Sequence, residues 1–227
     1  LRLVAGGGTA IQEAISNKWC EVTGLHITEG YGLSETSPVV TFNVSGPKEF
    51  TATIGIPVPS TDVSLRDEDG NKVKQGEPGE LCVKGPQVMQ EYWRKPNETA
   101  AVTTNDGYFR TGDVALMDVE GRFKIVDRIK DMILVSGFNV YPNEIEAVVA
   151  NLDGVLEAAC IGIPDERTDE AVKLFVVKSP GKDISAEDVI TFCRDNLTAY
   201  KVPKHIAFIN ELPKSAVGKI LRRELRD

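Results

Sequence analysis

The segment from Gly30 to Thr36 combines an aromatic ring, two hydroxyls and a carboxylate. Tyr31 stands between two glycines, which let the backbone turn sharply and leave the ring free to stack on a flat ligand. The polar run Ser34-Glu35-Thr36 follows, and its oxygen atoms are suited to Mg²⁺ and a phosphate. Taken alone, the same segment also fits an ordinary turn with a capping serine.

Two further glycine-containing segments present one charged group each. The run Phe109 to Asp113 predicts a tight turn that presents the carboxylate of Asp113. Near the C-terminus, Gly218 makes a loop mobile and places Lys219 at its tip. A compact ammonium on a mobile loop is suited to neutralising charge on a polyphosphate in a transition state. The alternative is a surface lysine, which is what most lysines are.

The N-terminal glycines Gly6, Gly7 and Gly8 lie between a predicted strand and a predicted helix. This geometry can bring backbone N–H groups to a phosphate or a carboxylate. The triple glycine matches neither the spaced-glycine dinucleotide fingerprint nor the lysine-bearing P-loop. A plain connection between strand and helix is therefore the alternative.

The elements that must position these residues differ between the two halves of the chain. In the first half we predict a buried strand over Leu1–Ala5, a helix over Ile11–Thr23 and a strand over Leu25–Glu29. From Ile54 to Val126, short strands punctuated by glycine predict a small barrel or sandwich. The turn signal Asp67–Gly70 marks a hairpin within it.

Strands and amphipathic helices alternate in the second half, which predicts a compact α+β domain. A helix begins at Pro142 and carries an apolar stripe through Ile145 and Val149. A capping box formed by Ser185 and Asp188 opens a second helix that runs to about residue 197. The remaining predicted elements are strands over 155–164, 171–178 and 205–209 and a charged helix over 221–227.

Between the halves lies Asp127-Arg128-Ile129-Lys130-Asp131, in which four of five residues are charged. A charged, unburied segment between two different compositions is typical of a domain boundary. An ordinary solvated loop is the alternative.

Composition excludes several classes of protein. The 227 residues, 41% hydrophobic and 26% charged, are ordinary for a soluble globular protein of one or two domains. The net charge of -8 argues against a nucleic-acid binder. Four scattered cysteines fit buried thiols in a reducing compartment, and two histidines make a histidine-based metal site or triad a poor fit. No apolar run approaches the ~20 residues of a membrane span. The chain opens without Met on an apolar strand, so we expect a fragment whose upstream part is missing.

Together these segments closely resemble the acyl-adenylate-forming superfamily of AMP-binding enzymes, and within it bacterial long-chain fatty-acid CoA ligases. The resemblance covers the whole chain. The segments that carry it are Tyr31-Gly32-Leu33-Ser34-Glu35, Arg110-Thr111-Gly112-Asp113, Asp127-Arg128 with Lys130-Asp131, Ser136-Gly137-Phe138-Asn139-Val140-Tyr141-Pro142-Asn143-Glu144-Ile145-Glu146, and Pro213-Lys214 with Gly218-Lys219.

The resemblance implies an α+β fold in two parts. Residues 1–129 would be the C-terminal part of the large AMP-binding (adenylation) domain, with its β-rich subdomain. Residues 130–227 would be the small mobile C-terminal domain, with a mixed sheet and helices. The superfamily's Ser/Thr/Gly-rich phosphate loop would lie upstream of Gly6, so we expect the chain alone to adenylate poorly or not at all.

Roles for individual residues follow from the same resemblance. In the first part, Tyr31 would stack on adenine, with Gly32 in the same nucleotide-binding set. Glu35 would hold Mg²⁺ and act in catalysis, and Ser34, where the family usually has Thr, would contact phosphate. Asp113 would accept hydrogen bonds from both ribose hydroxyls. Gly6, Gly7 and Gly8 would border the acyl and adenine pockets.

At the end of the first part, Arg128 would lie close to the ribose. In the second part, Lys130 would be the hinge residue. Lys219 would bridge the fatty carboxylate and the α-phosphate during adenylation. A rotation about Lys130 would then bring Ser136 and Gly137 to the site, where Gly137 leaves room for the pantetheine arm of CoA.

The implied reaction uses ATP, Mg²⁺, CoA and a long-chain fatty acid, and releases AMP. A ligase for an aryl or medium-chain acid and a non-catalytic nucleotide-binding remnant are the alternatives. Retention of Glu35, Asp113 and Lys219 together speaks against the remnant. We expect a cytoplasmic protein with no transmembrane segment and no nucleic-acid partner. Its fatty substrate is compatible with peripheral association at the inner face of the membrane, and a homodimer is compatible with the sequence.

Overall fold

The structure is a computed structural model that describes residues 1–11, 13–44, 49–216 and 218–226, with the side chain of residue 14 excepted. The chain forms two compact units, Leu1–Val126 and Asp127–Asp227. The predicted boundary between residues 129 and 130 stays a prediction. Gln12 in the first predicted helix, Val217 in the Lys219 loop and Asp227 in the predicted tail helix lie outside the described residues.

The first unit begins with a four-stranded sheet and one long helix. Its elements are β1 (Ala5–Gly6), α1 (Glu13–Thr23), β2 (Thr28–Gly32), β3 (Val39–Phe42) and β4 (Ile56–Pro57), with the strands in the order β1-β2-β3-β4. β1 runs parallel to β2, and the other neighbours are antiparallel. The buried strand predicted over Leu1–Ala5 is wrong, because only Ala5 and Gly6 pair with β2 while Leu1 is 85% exposed.

A second sheet of the first unit contains four strands in sequence order. Its elements are β5 (Asp62–Arg66), β6 (Gly79–Lys84), α2 (Pro96–Ala101), β7 (Phe109–Met117) and β8 (Phe123–Arg128). The order β5-β6-β7-β8 is an open sheet, so the closed barrel offered as one alternative is wrong within the described residues. Val40 of β3 packs with Leu65, Leu81 and Phe123 in one buried core, and the two sheets therefore pack on each other.

The second unit contains the predicted mixed sheet with two helices. Its elements are β9 (Ile133–Val135), β10 (Phe138–Val140), α3 (Pro142–Val149), β11 (Val155–Asp165), β12 (Asp169–Lys178), α4 (Ala186–Asn196) and β13 (His205–Phe208). β12 is central, antiparallel to β11 and β9 and parallel to β13. The capping box that opens α4 is confirmed, with the amide of Ser185 donating to Asp188 over 2.8 Å.

Alternating residues of β11 and β12 give the second unit two cores. Cys160 and Leu174 face the core beneath α3 and α4, which also holds Ile145 and Val149. The neighbouring residues Ala159, Ile161, Phe175 and Val177 face the opposite core, which is covered by the C-terminal segment through Leu212, Ile220 and Leu225. The predicted tail helix is only a short 3-10 helix, Arg222–Leu225, whose position is fixed by this packing.

The segment Asp127–Asp131 was predicted to be unburied, which is wrong for its two aspartates, whereas residues 128–130 are exposed. Asp127 is 1% exposed at the end of β8, and the side chain of Asp131 is 14% exposed. A 3-10 helix, Ile129–Asp131, follows β8 directly. The charged residues show that this segment is polar, but charge alone does not show whether a side chain is exposed. These carboxylates are buried because they contact residues that lie far along the chain.

Candidate active site

Asp113 lies within strand β7, and the tight turn predicted over Phe109–Asp113 is wrong. Gly112 takes a φ of +71°, and the pairing with β6 shifts register at this point and resumes at Val114. Glycine adopts this left-handed conformation without a steric penalty, so the strand bulges instead of turning back. Asp113 itself is 5% exposed, and its amide donates to the hydroxyl of Thr111 over 3.1 Å.

Glu80 of β6 fixes this bulge, a role that no local sequence pattern indicates. Its carboxylate accepts from Nε of Arg110 at 2.8 Å and from the amide of Gly112 at 3.1 Å. Glu80 is 7% exposed whereas the side chain of Arg110 is 42% exposed, so only the carboxylate of this ion pair lies away from water. The strand that carries Asp113 is thereby held on both sides of Thr111.

Tyr31 and Asp113 are in direct contact within the first unit. The hydroxyl of Tyr31 donates to Oδ2 of Asp113 over 2.5 Å, across 82 positions of the chain. Gly30 and Gly32 lie inside strand β2, so the predicted sharp turn around Tyr31 is wrong. Their lack of a side chain serves close packing, since a Cβ on Gly32 would lie 1.7 Å from the carbonyl oxygen of Pro38.

The glycines at the start of the chain lie beside the same strand. Gly6 pairs with Glu29 of β2, and a Cβ on Gly7 would lie 2.9 Å from the carbonyl oxygen of Gly30. Gly8 takes a φ of +82°, which a residue with a side chain rarely adopts. These close approaches place the predicted glycine segment next to the strand that carries Tyr31.

Glu35 is held by a hydrogen bond from Tyr92, a residue distant in the sequence. A short 3-10 helix, Ser34–Thr36, follows β2, and its Glu35 side chain is partly buried while Ser34 is exposed. Tyr92 donates its hydroxyl to Oε1 of Glu35 over 2.9 Å. Burial, and then the hydrogen bond to Glu35, raise the pKa of Tyr92, so Tyr92 stays a protonated donor. Thr36 is fully buried and bonds to the backbone of Leu33 and Pro38, a structural role.

Glu35 also meets the chemical requirements of a magnesium ligand. Among the described residues, no lysine or arginine forms an ion pair with it, and only Oε1 accepts a hydrogen bond from another side chain. Within the described part of the chain, no neighbouring cation therefore competes for its carboxylate. Mg²⁺ in nucleotide sites is commonly bound by one or two carboxylates together with the phosphates of the substrate.

The second unit contains the remaining predicted site residues. Ser136 and Gly137 form the predicted two-residue turn between β9 and β10, with φ angles of 52° and 79°. Both are exposed, and apart from Gly137 and its chain neighbours no described residue places an atom within 4 Å of where a Cβ of Gly137 would stand. Arg128 and Lys130 are exposed at and just after the end of β8. The backbone oxygen of Lys130 accepts from Arg226 over 3.4 Å.

Lys219 is exposed, but its predicted place at the tip of the loop is wrong, because it lies at the base beside Ile220; the predicted mobility of the loop stays a prediction. An isolated β-bridge joins Lys214 to Ile220 at the base of the loop. The amide of Ser215 donates to the carbonyl of Lys219 over 2.8 Å, and the amide of Lys219 donates to the hydroxyl of Ser215 over 3.2 Å. Gly218 has a φ of +81°. The backbone around Lys219 is therefore fixed while its side chain reaches into solvent.

The structure thus joins Tyr31 to Asp113 in the first unit, with Glu35 and the N-terminal glycines close to β2 in the chain or by pairing. Lys130, Ser136, Gly137 and Lys219 lie in the second unit. Among the described residues, no helix is both long enough and apolar enough to cross a membrane.

Comparison with known proteins connects this arrangement to one family. The family model described as "AMP-binding enzyme" matches residues 1–93, and the one described as "AMP-binding enzyme C-terminal domain" matches residues 144–219. A long-chain-fatty-acid–CoA ligase of Yersinia pestis is 59% identical over all 227 residues. The chain spans only 40% of that relative's length.

Solved structures with the same fold contain nucleotides. The ATP-bound structure of MatB from Rhodopseudomonas palustris has a TM-score of 0.94 and 33% identity, over 99% of this chain and 45% of its own. The o-succinylbenzoate CoA synthetase of Bacillus subtilis, solved with its acyl-adenylate intermediate, has a TM-score of 0.88 and 30% identity, over 100% of this chain and 46% of its own. The two matched regions and these likenesses show that the chain belongs to the family of AMP-binding enzymes.

Proposed function

We propose that the protein containing this chain is an AMP-forming ligase that activates a long-chain fatty acid with ATP and transfers it to coenzyme A. The observation that carries the proposal is the hydrogen bond between Tyr31 and Asp113. It fixes an aromatic ring and a buried carboxylate side by side, which suits a base and a ribose respectively. The fatty-acid substrate is proposed because the relative from Yersinia pestis is named a long-chain-fatty-acid–CoA ligase.

In the first step, an oxygen of the fatty carboxylate attacks the α-phosphorus of ATP. A new oxygen–phosphorus bond forms, and the bond to the departing pyrophosphate breaks. Negative charge on the phosphate oxygens increases, and Lys219 would stabilise it with its ammonium. One such contact typically contributes a factor of about 10²–10³ in rate. Mg²⁺, held by Glu35, would supply further neutralisation of the phosphates when bound.

In the second step, the thiol of coenzyme A attacks the acyl carbonyl and AMP leaves. Ser136 and Gly137 would line the path of the thiol, and Gly137 leaves open space where any other residue would place a side chain. Lys130 would be the point about which the small domain rotates between the steps. Arg128 would contact the nucleotide, and Ser34 the phosphates.

AMP release provides the test, measured in a full-length protein that joins this chain to the upstream portion its relatives possess. We expect release with palmitate or oleate that depends on coenzyme A. Release with an aromatic or short acid would keep the mechanism and overturn the substrate class. A folded protein that releases no AMP with any acid would instead favour a non-catalytic nucleotide-binding module.

The location and assembly of the protein belong to the same proposal. A cytoplasmic ligase acting on a fatty acid could associate with the inner face of the membrane to collect its substrate. That association and a homodimer remain predictions, and vesicle flotation and light scattering of the full-length protein would test them.

A further inference from the structure

We propose that Arg222 is a positioning residue that holds the Lys219 loop on helix α3 and on the segment around Lys130. The inference rests on the proposed function, because it assumes that Lys219 acts in adenylation. Its physical basis is a group of buried charges in the second unit that no sequence motif reveals.

Arg222 is the centre of this group. Its side chain is 15% exposed, and its Nη2 donates to both carboxylate oxygens of Glu146 over 2.9 and 2.8 Å. The same nitrogen lies 3.0 Å from the side-chain oxygen of Asn143. Its Nη1 lies 3.9 Å from the carboxylate of Asp131. One guanidinium thus connects the C-terminal segment to α3 and to the 3-10 helix that contains Lys130.

Three further hydrogen bonds complete the group. Asp127 accepts from the amides of Arg128 and Asn143, each over 2.8 Å, so it joins the end of β8 to the start of α3. Glu146 accepts from the amide of Cys160 over 2.8 Å. Burial raises the pKa of Glu146, and the charge of Arg222 opposes that rise. Three carboxylates, those of Asp127, Asp131 and Glu146, therefore share the field of Arg222.

The connection from Arg222 to Lys219 is short and stiff. The residue before Arg222, Leu221, donates its amide to the carbonyl of Pro213 over 2.8 Å and closes the base of the loop. Ile220 packs against the core that contains Leu212. A displacement of Arg222 must consequently move the base of the loop and, with it, the ammonium of Lys219.

The other end of the loop, at Lys214, is held by a weaker interaction. Lys214 forms an ion pair with Glu157 of β11, and the two side chains are 38% and 34% exposed. Water screens such a pair, so it contributes little rigidity. Arg222, buried and bonded to both oxygens of Glu146, is the residue that sets the position of the loop. Positioning matters because a misplacement of ~1 Å can cost about 10²-fold in rate.

The substitution Arg222→Lys tests this role, since lysine keeps the charge but has one nitrogen, and so cannot meet Glu146 and Asp131 with two separate nitrogens as Nη2 and Nη1 do. In the full-length protein we expect ATP–pyrophosphate exchange to fall by about tenfold to a hundredfold. Thioester formation from preformed acyl-adenylate should stay within about threefold, because Lys219 is not used in that step. Glu146→Gln, which removes the charged partner, should give the same selective loss.

A matched control is Arg66→Lys. Arg66 is equally buried, with a side chain 9% exposed, and donates to both oxygens of Asp106 in the first unit. We expect it to leave the ratio of the two half-reactions unchanged. A double variant gives the sharpest test. If Arg222 acts through Lys219, Arg222→Lys should have no further effect on adenylation in a Lys219→Ala background.

The possible outcomes separate this inference from the proposed function. Normal exchange in Arg222→Lys with slow exchange in Lys219→Ala overturns the positioning role alone. Normal exchange in Lys219→Ala overturns the proposed role of Lys219. Equal losses in both half-reactions, independent effects in the double variant, or failure of both Arg222→Lys and Glu146→Gln to fold would make Arg222 a purely structural residue and overturn the inference.

Discussion

Carboxylates in the two units illustrate two different ways of holding a functional segment. In the first unit, Glu35 accepts a hydrogen bond from the hydroxyl of Tyr92. In the second unit, Glu146 and Asp131 meet the guanidinium of Arg222. Tyr92 orients Glu35 without bringing an opposite charge to it, whereas Arg222 brings a positive charge to the carboxylates that it orients. A carboxylate that must bind a cation or a hydroxyl gains from the first arrangement, and one that anchors a loop gains from the second.

Of the variants that follow from this comparison, we expect the loss of Arg222 to have the largest effect, which is a lower free energy of unfolding. Arg222→Met removes the cation and leaves three largely buried carboxylates without it. Breaking a buried ion pair from one side costs about 3–5 kcal/mol, so we expect the free energy of unfolding to fall by that amount. Urea unfolding of this chain measures it. Arg194→Met, which changes an exposed arginine of the same unit, should alter stability by less than about 0.5 kcal/mol. Equal effects of the two variants would contradict the buried anchor.

Lys219, three residues from Arg222, should behave in the opposite way. Its side chain is exposed, so Lys219→Ala should leave the unfolding curve unchanged. Adenylation in the full-length protein should fall by about 10²–10³-fold, because charge on the phosphate loses its neutralising ammonium. ATP–pyrophosphate exchange measures the loss, and Lys182→Ala, at an exposed lysine paired with Asp153, is the control. If Lys219→Ala unfolds more easily but adenylates normally, Lys219 stabilises the fold and does not act in the reaction.

Local signals explain what the sequence could predict. The start of α3 at Pro142, the Ser185 cap and the Ser136-Gly137 turn each depend on residues within a few positions of one another. Such signals also led to a wrong prediction. Gly112 favoured a turn, but in the structure it forms a β-bulge where β7 pairs with β6. Isolated sequence reasoning also had no means of knowing that Asp127 is buried.

The pairs that position the site lie outside the reach of local signals. Tyr31 meets Asp113 across 82 positions, Tyr92 meets Glu35 across 57, and Arg222 meets Glu146 across 76. Tyr92 and Arg222 have no unusual neighbourhood in the sequence, and only the tertiary packing brings them to their partners. The resemblance to a family identified Tyr31, Glu35 and Asp113 as residues of interest, whereas Tyr92, Glu80 and Arg222 required the structure.

Glu29 extends the comparison, because it is a buried carboxylate that, among the described residues, neither a tyrosine hydroxyl nor an arginine orients. It is 8% exposed, and no ion pair to it exists among the described residues. Burial raises its pKa from 4.5 to about 7, and a backbone hydrogen bond from Ile11 opposes the rise. A raised acid pKa means that the folded state binds the proton more tightly. Its contribution to stability is therefore complete below about pH 4.5 and is lost as the pH rises through 7.

Between pH 5 and pH 8 this loss amounts to about 2–3 kcal/mol. Glu29→Gln stays neutral and should remove it, so the stability difference between variant and parent should grow with pH. Urea unfolding of both chains at the two pH values measures that difference, and other groups cancel in the subtraction. Parallel stabilities at pH 5 and pH 8 would show that Glu29 titrates normally.

The smallest expected effect concerns Tyr92, the neutral donor on Glu35. Tyr92→Phe removes one hydroxyl, keeps the ring and leaves Glu35 charged but less firmly oriented. Loss of a residue that orients a metal-binding carboxylate typically costs about 10–100-fold in affinity or activity. We expect adenylation to fall by about tenfold, with half-maximal rate at a higher Mg²⁺ concentration. Tyr108→Phe is the matched control, since Tyr108 donates to Asp62 in the same unit but away from Glu35. If both tyrosine variants give the same Mg²⁺ dependence as the parent, the hydroxyl of Tyr92 serves packing alone, and neutral orientation of a charged ligand no longer distinguishes the first unit from the second.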